Sequence, residues 1–370
     1  MRARTHILGD RLFALIVISL ITIGTATFLS ASLGLLARQN SNLGHLALTQ
    51  LVLGLIPGIM LLVFLRLIKP SLIQKWTLAF YVLSLLLTVL VFVPHIGVHT
   101  NGASRWIDIG PVTVQPAEFL KISVVLMFAL YLSKMKSKLH DYRYGLGGFA
   151  VVVGVPCLLL IMQPNTSTVL VIGATTAAMY FVAGAPKRDF LLLGVTAFVG
   201  LGLLILIRPY LLQRITTFMH PSHDSLASGY QIQQSLIAVG SGGLLGRGYG
   251  QSVQKFNYLP EAVDDAIFAV YAEEFGFVGT VLLLLLFVAF ATRGLFIAAS
   301  ASSLFGTLVA TGLTLIISIS AFLNIGAMLS VFPLTGLPLP FISHGGTALL
   351  ATLASVGIIL NVASHKGKKT

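Results

Sequence analysis

Residues 241–279 have the sequence SGGLLGRGYGQSVQKFNYLPEAVDDAIFAVYAEEFGFVG, in which a polar, glycine-rich segment runs directly into an apolar one. Only 9% of the chain is charged, yet five of its eleven acidic residues lie within fourteen positions here: Glu261, Asp264, Asp265, Glu273 and Glu274. An ionisable group inside a membrane span costs about 2.5–3.5 kcal/mol, so carboxylates gathered in this way do not help a segment to cross a membrane. The stretch therefore indicates a polar site where an apolar helix begins.

The sequence on either side of this stretch is strongly apolar. The chain has 370 residues, of which 56% are hydrophobic, and a mean hydropathy of +0.95, values that exclude an ordinary soluble domain. Apolar stretches of about 18 or more residues recur, and each can cross a hydrocarbon core about 30 Å thick. The alternating pattern of a transmembrane barrel is absent. We predict an all-α, polytopic transmembrane helical bundle that forms a single membrane domain over residues 1–370.

About ten transmembrane helices are expected. The predicted spans are residues 12–35, 46–65, 76–94, 117–133, 146–162, 166–185, 190–207, 266–292, 303–331 and 347–364. Short polar turns separate most of these spans, and the exceptions are two longer loops, His95–Pro116 and Pro209–Asp265. The loops are therefore the parts of the chain with room for a site outside the bilayer.

The distribution of charge orients the chain. If the N-terminus lies in the cytoplasm, 16 of the 23 basic residues fall in cytoplasmic segments, beside only Asp10, Asp141 and Asp189. By the positive-inside rule, both termini are then cytoplasmic and both longer loops are extracytoplasmic. A basic surface that faces anionic lipid also accounts for the net charge of +12 without a nucleic-acid partner.

The first longer loop leads into a helix with a charged pair. Glu118 and Lys121 are three residues apart and share a helical face just after Pro116, a residue suited to a helix start. Such a pair faces the bundle interior or a wet cavity, or it is a structural ion pair near the interface. The loop also carries Arg105 and Trp106, and tryptophan by itself is a common interfacial anchor.

The second longer loop contains an amphipathic segment and a glycine run. Leu212, Ile215 and Phe218 recur at helical spacing around Arg214, which predicts a short helix on the membrane surface. The glycines between residues 240 and 250 could bind phosphate through backbone N–H groups. They lack the Gly-Lys-Ser/Thr of a P-loop, and permissive backbone angles alone also explain them.

The carboxylate cluster is the more specific feature of this loop. A helix that begins just after Pro260 would place Glu261 and Asp265 on one face, with Asp264 adjacent. Carboxylates this close disfavour simultaneous ionisation, so at least one pKa should rise, as a general base requires. The alternative is an acidic helix N-terminus that the helix dipole favours.

Three long motifs resemble the SEDS family (shape, elongation, division and sporulation), which includes RodA, FtsW and SpoVE. They are RWIDIGPVTVQPAEFLKI at residues 105–122, the segment from GYQIQQS to EEFGFVG at residues 229–279, and FPLTGLPLPFISHGG at residues 332–346. The similarity covers almost the whole chain, and QSVQKFNYLPEA is closer to the cell-division branch than to the elongation branch. The resemblance implies ten transmembrane helices in the bacterial cytoplasmic membrane and a peptidoglycan glycosyltransferase that polymerises lipid II at the outer face.

The resemblance also implies site residues. The family's essential aspartate falls on Asp265, its loop tryptophan on Trp106, and the Glu and Lys of its QPxExxK pattern on Glu118 and Lys121, while Glu261 matches the Glu of LPE. The chain departs from the family pattern in three places, which are Asn165 and Ser167 in QPDxGT, His344 after Ser343 in SYGG, and Val263, Asp264 and Ala266, where His, Thr and Phe are frequent.

The implied reaction sets out roles for these residues. The 4-hydroxyl of one GlcNAc attacks C1 of MurNAc, and the lipid pyrophosphate leaves with inversion. Asp265 is expected to act as the general base. The cations that could stabilise the pyrophosphate are Arg105, Lys121, Arg214, Arg247 and Lys255. The acidic cluster could also hold a divalent cation, Mg²⁺ or Mn²⁺, because Mg²⁺ often binds through one or two carboxylates together with substrate phosphates. The sequence does not settle whether the reaction requires one.

Partners and competing functions follow from the same features. The resemblance implies a class B penicillin-binding protein, a transpeptidase, as partner, together with divisome or elongasome membrane proteins. One rival function is a lipid II flippase, since Glu118, Lys121, Glu273 and Glu274 could line a polar path. The other is a non-catalytic divisome scaffold, which gives no reason for Asp265 beside Glu261 at the outer boundary.

Overall fold

The computed structural model describes residues 10–37, 49–100, 103–108, 110, 113–220 and 228–365, and most of the described chain is helical. The helices are α1 (Arg11–Leu33), α2 (Ile56–Leu67, preceded by a π-helical segment, Thr49–Leu55), α3 (Pro70–Leu90), α4 (Pro116–Met135), α5 (Leu146–Met162, with a π-helical segment at Ala150–Gly154), α6 (Thr166–Val182), α7 (Lys187–Ile207), α8 (Pro209–Met219), α9 (Ser228–Ser241), α10 (Ile267–Ala299), α11 (Leu304–Met328) and α12 (Gly346–Ser364).

The predicted membrane bundle is confirmed. Within the described residues, eight helices are long and apolar enough to span a bilayer, and two shorter apolar helices, α5 and α6, lie between them. Each of the ten predicted spans overlaps one of these helices. The core lies around α4, α11 and α12, whose apolar side chains are mostly buried, whereas α7 packs at the edge with its side chains exposed. Lipid tails are as apolar as those side chains, so exposure there is expected for a membrane protein.

The two longer loops carry structure of their own. The first contains a small antiparallel sheet with strands β1 (Gly97–Thr100), β2 (Ala103–Asp108) and β3 (Thr113–Val114) in that order, which the sequence did not predict. The second contains α8 and α9. Helix α8 is the amphipathic surface helix expected around Arg214. The loops therefore form a folded cap on the bundle.

The glycine run has a packing role. Helix α10 breaks at Gly276, where φ is 64° and ψ is −165°, and the loop that follows α9 exchanges backbone hydrogen bonds with it across the break. Phe277 N donates to Gly243 O at 2.8 Å, and Gly248 N donates to Glu274 O at 3.0 Å. A Cβ on Gly246 would collide with the backbone of α10. Close backbone approach therefore explains Gly246, and the N–H groups of Gly246 and Gly248 are used within the protein.

The orientation of the cap can be tested by cysteine labelling. Cys157 is the only cysteine, so a Cys157→Ala background allows single cysteines to be placed at exposed Leu245, in the glycine loop, and at exposed Arg143, between α4 and α5. The positive-inside rule predicts that an impermeant thiol reagent labels Leu245→Cys in intact cells and labels Arg143→Cys only after lysis. Labelling of Arg143→Cys from outside would reverse the assigned orientation.

Candidate active site

Asp265 lies in a tight turn directly before α10. The expected helix start after Pro260 is wrong, because residues 261–266 form turns and α10 begins only at Ile267. Glu261 adopts a positive φ of 49°, which a right-handed helix does not allow. Its carbonyl accepts hydrogen bonds from Asp264 N at 3.0 Å and Ala266 N at 3.2 Å. Glu261 and Asp265 therefore do not share a helical face.

Distant segments hold this turn by its backbone. The three successive carbonyls of residues 263–265 each accept a hydrogen bond from a residue that is distant in sequence. His344 N donates to the first at 2.8 Å, the Ser343 hydroxyl to the second at 2.6 Å, and Asn324 Nδ2 to the third at 2.7 Å. Asn324 also donates to Leu337 O at 2.7 Å, which fixes α11 against the loop before α12. The turn is thus preorganised, as a catalytic group requires.

The Asp265 carboxyl is half-buried and is surrounded by polar groups. Gln231 Nε2, on α9, donates to its Oδ1 at 3.2 Å. Burial, together with the charge of neighbouring Asp264, raises the pKa of Asp265 to about 6, although the hydrogen bond from Gln231 and the charge of Arg214 oppose the rise. A carboxyl with this pKa is mostly ionised at pH 7 yet still basic enough to accept a proton.

Arg214 lies near Asp265, and a second arginine, Arg105, lies near Arg214. Arg105, on β2, donates through Nε to Gln163 O at 3.3 Å and through its terminal nitrogen to Pro164 O. Arg214, on α8, is close enough that its positive charge lowers the pKa of Arg105 further than burial already does. Burial also lowers the pKa of Arg214, while the Asp265 carboxylate raises it. Guanidinium groups stay protonated in proteins, so Arg214 places a positive charge near the Asp265 carboxyl, and Arg105 adds a second positive charge next to Arg214.

Glu118 and Lys121 form the expected ion pair within the bundle. Their side chains approach to 2.8 Å between Lys121 Nζ and Glu118 Oε1, and both residues are buried. The pair lines a cavity together with Ser320 and Ser343. Because Ser343 also holds the backbone of Asp264, this cavity adjoins the turn that carries Asp265.

We expect removal of one partner of this ion pair to be more damaging than removal of both. Glu118→Gln or Lys121→Met alone leaves an uncompensated buried charge, at a cost of about 3–5 kcal/mol in stability. The double variant leaves none and should melt closer to the wild type. Thermal melting of the four detergent-solubilised proteins measures the difference. Additive losses in the double variant would mean that the two charges are solvated separately.

Two of the expected substrate cations have other partners. Lys255 Nζ lies 2.8 Å from Glu274 Oε1, and neither side chain has any solvent exposure. It also donates to the Ser30 hydroxyl at 2.9 Å. Arg247, which is more exposed, lies 3.4 Å from buried Glu273. Lys255 is thus engaged as a structural cation, because a buried glutamate is stable only with a cation nearby. Its expected role at the pyrophosphate stays a prediction.

The remaining expected residues lie at different depths. Trp106 is half-buried and adjacent to Arg105 on β2, so alternation along the strand directs the two side chains to opposite faces of the sheet. Glu261 is exposed at the start of the turn.

Throughout the described part of the chain, no group of three His, Cys, Asp or Glu side chains could hold a metal ion. Among these described residues, carboxylates could therefore hold Mg²⁺ or Mn²⁺ only together with other ligands such as substrate phosphates.

Sequence reasoning missed three residues of the site, Gln231, Asn324 and His344. Asn324 could have been found, since a side-chain amide within an apolar helix is costly unless it is hydrogen-bonded. Gln231 lies in the polar GYQIQQS stretch, where nothing distinguishes it from its neighbours. The partner of His344 is 80 residues away in sequence, so only the tertiary structure shows it.

The chain is similar to known proteins over almost its whole length. A family model described as "Cell cycle protein" (FTSW_RODA_SPOVE) matches residues 10–368. Stage V sporulation protein E of Bacillus subtilis (strain 168) is 38% identical over 356 residues, which are 96% of this chain and 97% of that protein. A probable peptidoglycan glycosyltransferase FtsW of Idiomarina loihiensis is 36% identical over 358 residues, covering 96% of this chain and 87% of that protein.

Solved structures resemble this protein over almost its whole length. A chain from the work described as "Structural coordination of polymerization and crosslinking by a peptidoglycan synthase complex" matches with a TM-score of 0.78 and 28% identity, over 96% of this chain and 97% of that chain. The crystal structure of the rod shape determining protein RodA of Thermus thermophilus matches with a TM-score of 0.71 and 28% identity, over 97% of this chain and 98% of that chain.

Proposed function

This chain belongs to the FtsW, RodA and SpoVE family of cell cycle proteins, and from that premise we propose that it is a peptidoglycan glycosyltransferase. It polymerises lipid II into glycan strands at the outer face of the bacterial cytoplasmic membrane, during cell division or elongation. One observation carries the residue assignment: the half-buried carboxyl of Asp265, in the turn directly before α10, lies close to the Arg214 guanidinium, and burial together with the Asp264 charge raises its pKa to about 6. The relatives named glycosyltransferases support the reaction.

The proposed chemistry uses the base and the cations together. Asp265 accepts the proton of the GlcNAc 4-hydroxyl as that oxygen forms a bond to C1 of MurNAc. The bond between C1 and the pyrophosphate oxygen breaks with inversion, and undecaprenyl pyrophosphate leaves with its electron pair. Arg214 and Arg105 stabilise the negative charge that develops on the leaving group. Arg105 is held in place before substrate arrives by the turn between α5 and α6, and the Arg214 guanidinium lies over the Tyr210 ring, 5.7 Å from its centroid.

The alternative functions have less support. A lipid II flippase needs a polar path through the bundle, but Glu273 and Glu274 are engaged with Arg247 and Lys255 at the outer end of α10. A scaffold without activity needs neither a clamped turn nor a carboxyl with a raised pKa. The Glu118–Lys121 pair is compatible with both a polymerase and a flippase.

The proposed function is tested with purified protein. Fluorescent lipid II is incubated with the protein in detergent, with and without Mg²⁺ or Mn²⁺, and the products are separated on a gel. The proposal expects a ladder of glycan polymer that a muramidase degrades. A parallel assay in vesicles measures translocation of lipid II across the bilayer. Translocation without polymer would support the flippase, and neither product would support the scaffold.

Arg214 provides a more specific test of the leaving-group cations. Arg214→Met keeps much of the aliphatic part of the side chain but removes its charge. We therefore expect the polymerisation rate to fall by about 10²-fold, the size typical for loss of one preorganised donor. Because positive charge at Arg214 lowers the pKa of Asp265, the acid limb of the pH–rate profile should also move to higher pH. Arg208→Met, at the junction of α7 and α8, is the matched control. Equal rates for wild type and Arg214→Met would exclude this role.

A partner is part of the same proposal. We propose that a class B penicillin-binding protein, a transpeptidase, works beside this chain, because glycan strands must be crosslinked as they are made. The similar chain that comes from a peptidoglycan synthase complex supports a partner of this kind. Co-purification with such a protein from the same cell, and stimulation of polymerisation by it, are the expected results. Neither effect, with every such protein of that cell tested, would contradict the proposal.

A further inference from the structure

Beside Asp265 lies a second acid with a partner of its own. The Asp264 carboxylate oxygen Oδ1 lies 3.1 Å from Nδ1 of His344, although the two residues are 80 positions apart in sequence. Their side chains are 42% and 27% exposed, so the contact is formed at the surface of the cap rather than in the core. Both residues depart from the family pattern, which has Thr and Tyr at these two positions. In this chain the two departures contact each other.

The imidazole of His344 is fixed independently of Asp264. Its ring stacks on Phe28 of α1, with centroids 5.8 Å apart and planes inclined by 15°. Its backbone N–H donates to Val263 O at 2.8 Å. On either side, Gln50 Nε2 donates to the carbonyl of Ser343 at 3.2 Å, and Gln50 Oε1 accepts from Gly345 N at 3.0 Å. These contacts hold the ring in place, and because a carboxylate can only accept hydrogen bonds, Nδ1 of His344 is the donor to Asp264.

Asp265 is surrounded by groups from several elements. The charged or titratable groups on these elements are Asp264 from its own turn, Arg214 and Tyr210 from α8, Arg105 from β2 behind Arg214, Glu261 at the start of the turn, and Glu118 and Lys121 of α4 beyond Ser343. The Asp264 carboxylate is the negative charge that raises the pKa of Asp265. Any group that fixes or partly neutralises Asp264 thus acts on the base.

We propose that His344 is a positioning residue for the base: its Nδ1 holds the Asp264 carboxylate, and so determines how much negative charge Asp265 experiences and at which pH the base becomes available. This inference rests on the proposed role of Asp265. A donor at Nδ1 draws charge density of Asp264 toward the imidazole. Without the donor, the Asp264 carboxylate is uncompensated beside Asp265 and should keep the base protonated to a higher pH.

The test is a cycle of four proteins: wild type, Asp264→Asn, His344→Phe and the double variant. Phenylalanine can keep the stack on Phe28 but has no ring nitrogen. His344→Tyr, which has the family's residue, replaces it if the Phe variant does not fold. The first measurement is the acid limb of the pH–rate profile with fluorescent lipid II. The second does not depend on activity and measures, by peptide mass spectrometry, the fraction of Asp265 modified by a carbodiimide, which reacts with protonated carboxyl groups.

Two midpoints are compared: that of the acid limb of the pH–rate profile and that of the carbodiimide modification of Asp265. We expect His344→Phe to move both midpoints to higher pH and Asp264→Asn to move both to lower pH, each by about 0.5–1 pH unit for a single nearby charge. In the Asp264→Asn background, His344→Phe should have no further effect, because the carboxylate through which His344 acts is gone. Equal shifts from His344→Phe in both backgrounds, or a lower maximal rate with unmoved midpoints, would overturn the inference. Failure of the proposed function would give a different result. Asp265→Asn would then still polymerise lipid II, while the carbodiimide midpoints of Asp265 in the four proteins of the cycle could still shift as expected.

Discussion

Asp265→Asn is expected to abolish polymerisation while the protein still folds and binds lipid II. Asparagine has the shape of the carboxyl but cannot accept the hydroxyl proton, and a general base typically contributes about 10²–10⁴-fold in rate. The backbone of the turn should survive, because Asn324 donates to the main-chain carbonyl of residue 265 and not to its side chain. The measurement is the gel assay with fluorescent lipid II, accompanied by thermal melting and a binding assay.

The pH dependence of the wild type gives a second measure of the same residue. Burial and the Asp264 charge raise the pKa of Asp265 to about 6, and the base works only when it is deprotonated. The rate should therefore be highest above this pH and should fall as the pH is lowered through about 6. A rate that does not change between pH 5 and pH 7 would argue against an essential carboxylate with this pKa.

Asp264→Asn is the matched control for the first prediction. It makes the same change one position earlier, and its backbone carbonyl is held by Ser343 in the same way as that of Asp265 is held by Asn324. We expect this variant to polymerise, with an acid limb displaced to lower pH. Undiminished polymer from a well-folded Asp265→Asn would remove Asp265 from the mechanism. Loss of activity in both variants at all pH values would indicate a structural requirement for the turn.

Lys255→Met is expected to destabilise the protein by about 3–5 kcal/mol, the cost of leaving a buried charge unpaired. The Lys255–Glu274 pair is fully excluded from solvent, with 2.8 Å between Nζ and Oε1. Lysine Nζ also donates to Gly250 O at 2.8 Å, so the residue ties the glycine loop to both α1 and α10. Its loss should loosen the part of the cap that packs on α10 and lower the melting temperature markedly.

Two further variants isolate the cause of that loss. Lys255→Met combined with Glu274→Gln removes both charges, so it should be less destabilised than Lys255→Met alone. Arg247→Met removes a half-exposed cation from Glu273 and should have a smaller effect, because solvent screens that pair. Melting in detergent, monitored by size-exclusion chromatography, measures all of them. A melting temperature of Lys255→Met equal to that of the wild type would mean that the pair is not buried in solution.

Local patterns in the sequence predicted much of the architecture. The apolar stretches located the ten spans, because each span must bury about 20 residues in lipid wherever the rest of the chain lies. The spacing of Leu212, Ile215 and Phe218 predicted α8. The spacing of Glu118 and Lys121 predicted their ion pair, since residues three apart on a helix are neighbours in any tertiary setting.

The resemblance to a family located Asp265, but its surroundings depended on the fold. Whether residues 261–266 form a helix or a turn could not be read from their composition, which suits an acidic helix N-terminus equally well. The turn is formed because Ser343, His344 and Asn324 supply hydrogen bonds to its carbonyls. Those donors come from segments about 60–80 residues away in sequence, whose approach is set by the packing of the whole bundle.

The charged residues show the same division. Composition alone indicates that a chain with so few charges must pair most of the buried ones, but it does not indicate which cation pairs with which acid. Tertiary packing assigned Lys255 to Glu274 and His344 to Asp264, and it placed Arg214 near Asp265 with Arg105 next to Arg214. Helical and strand periodicity relates residues only a few positions apart, whereas the partner of a buried charge is whichever opposite charge the folded bundle brings within reach.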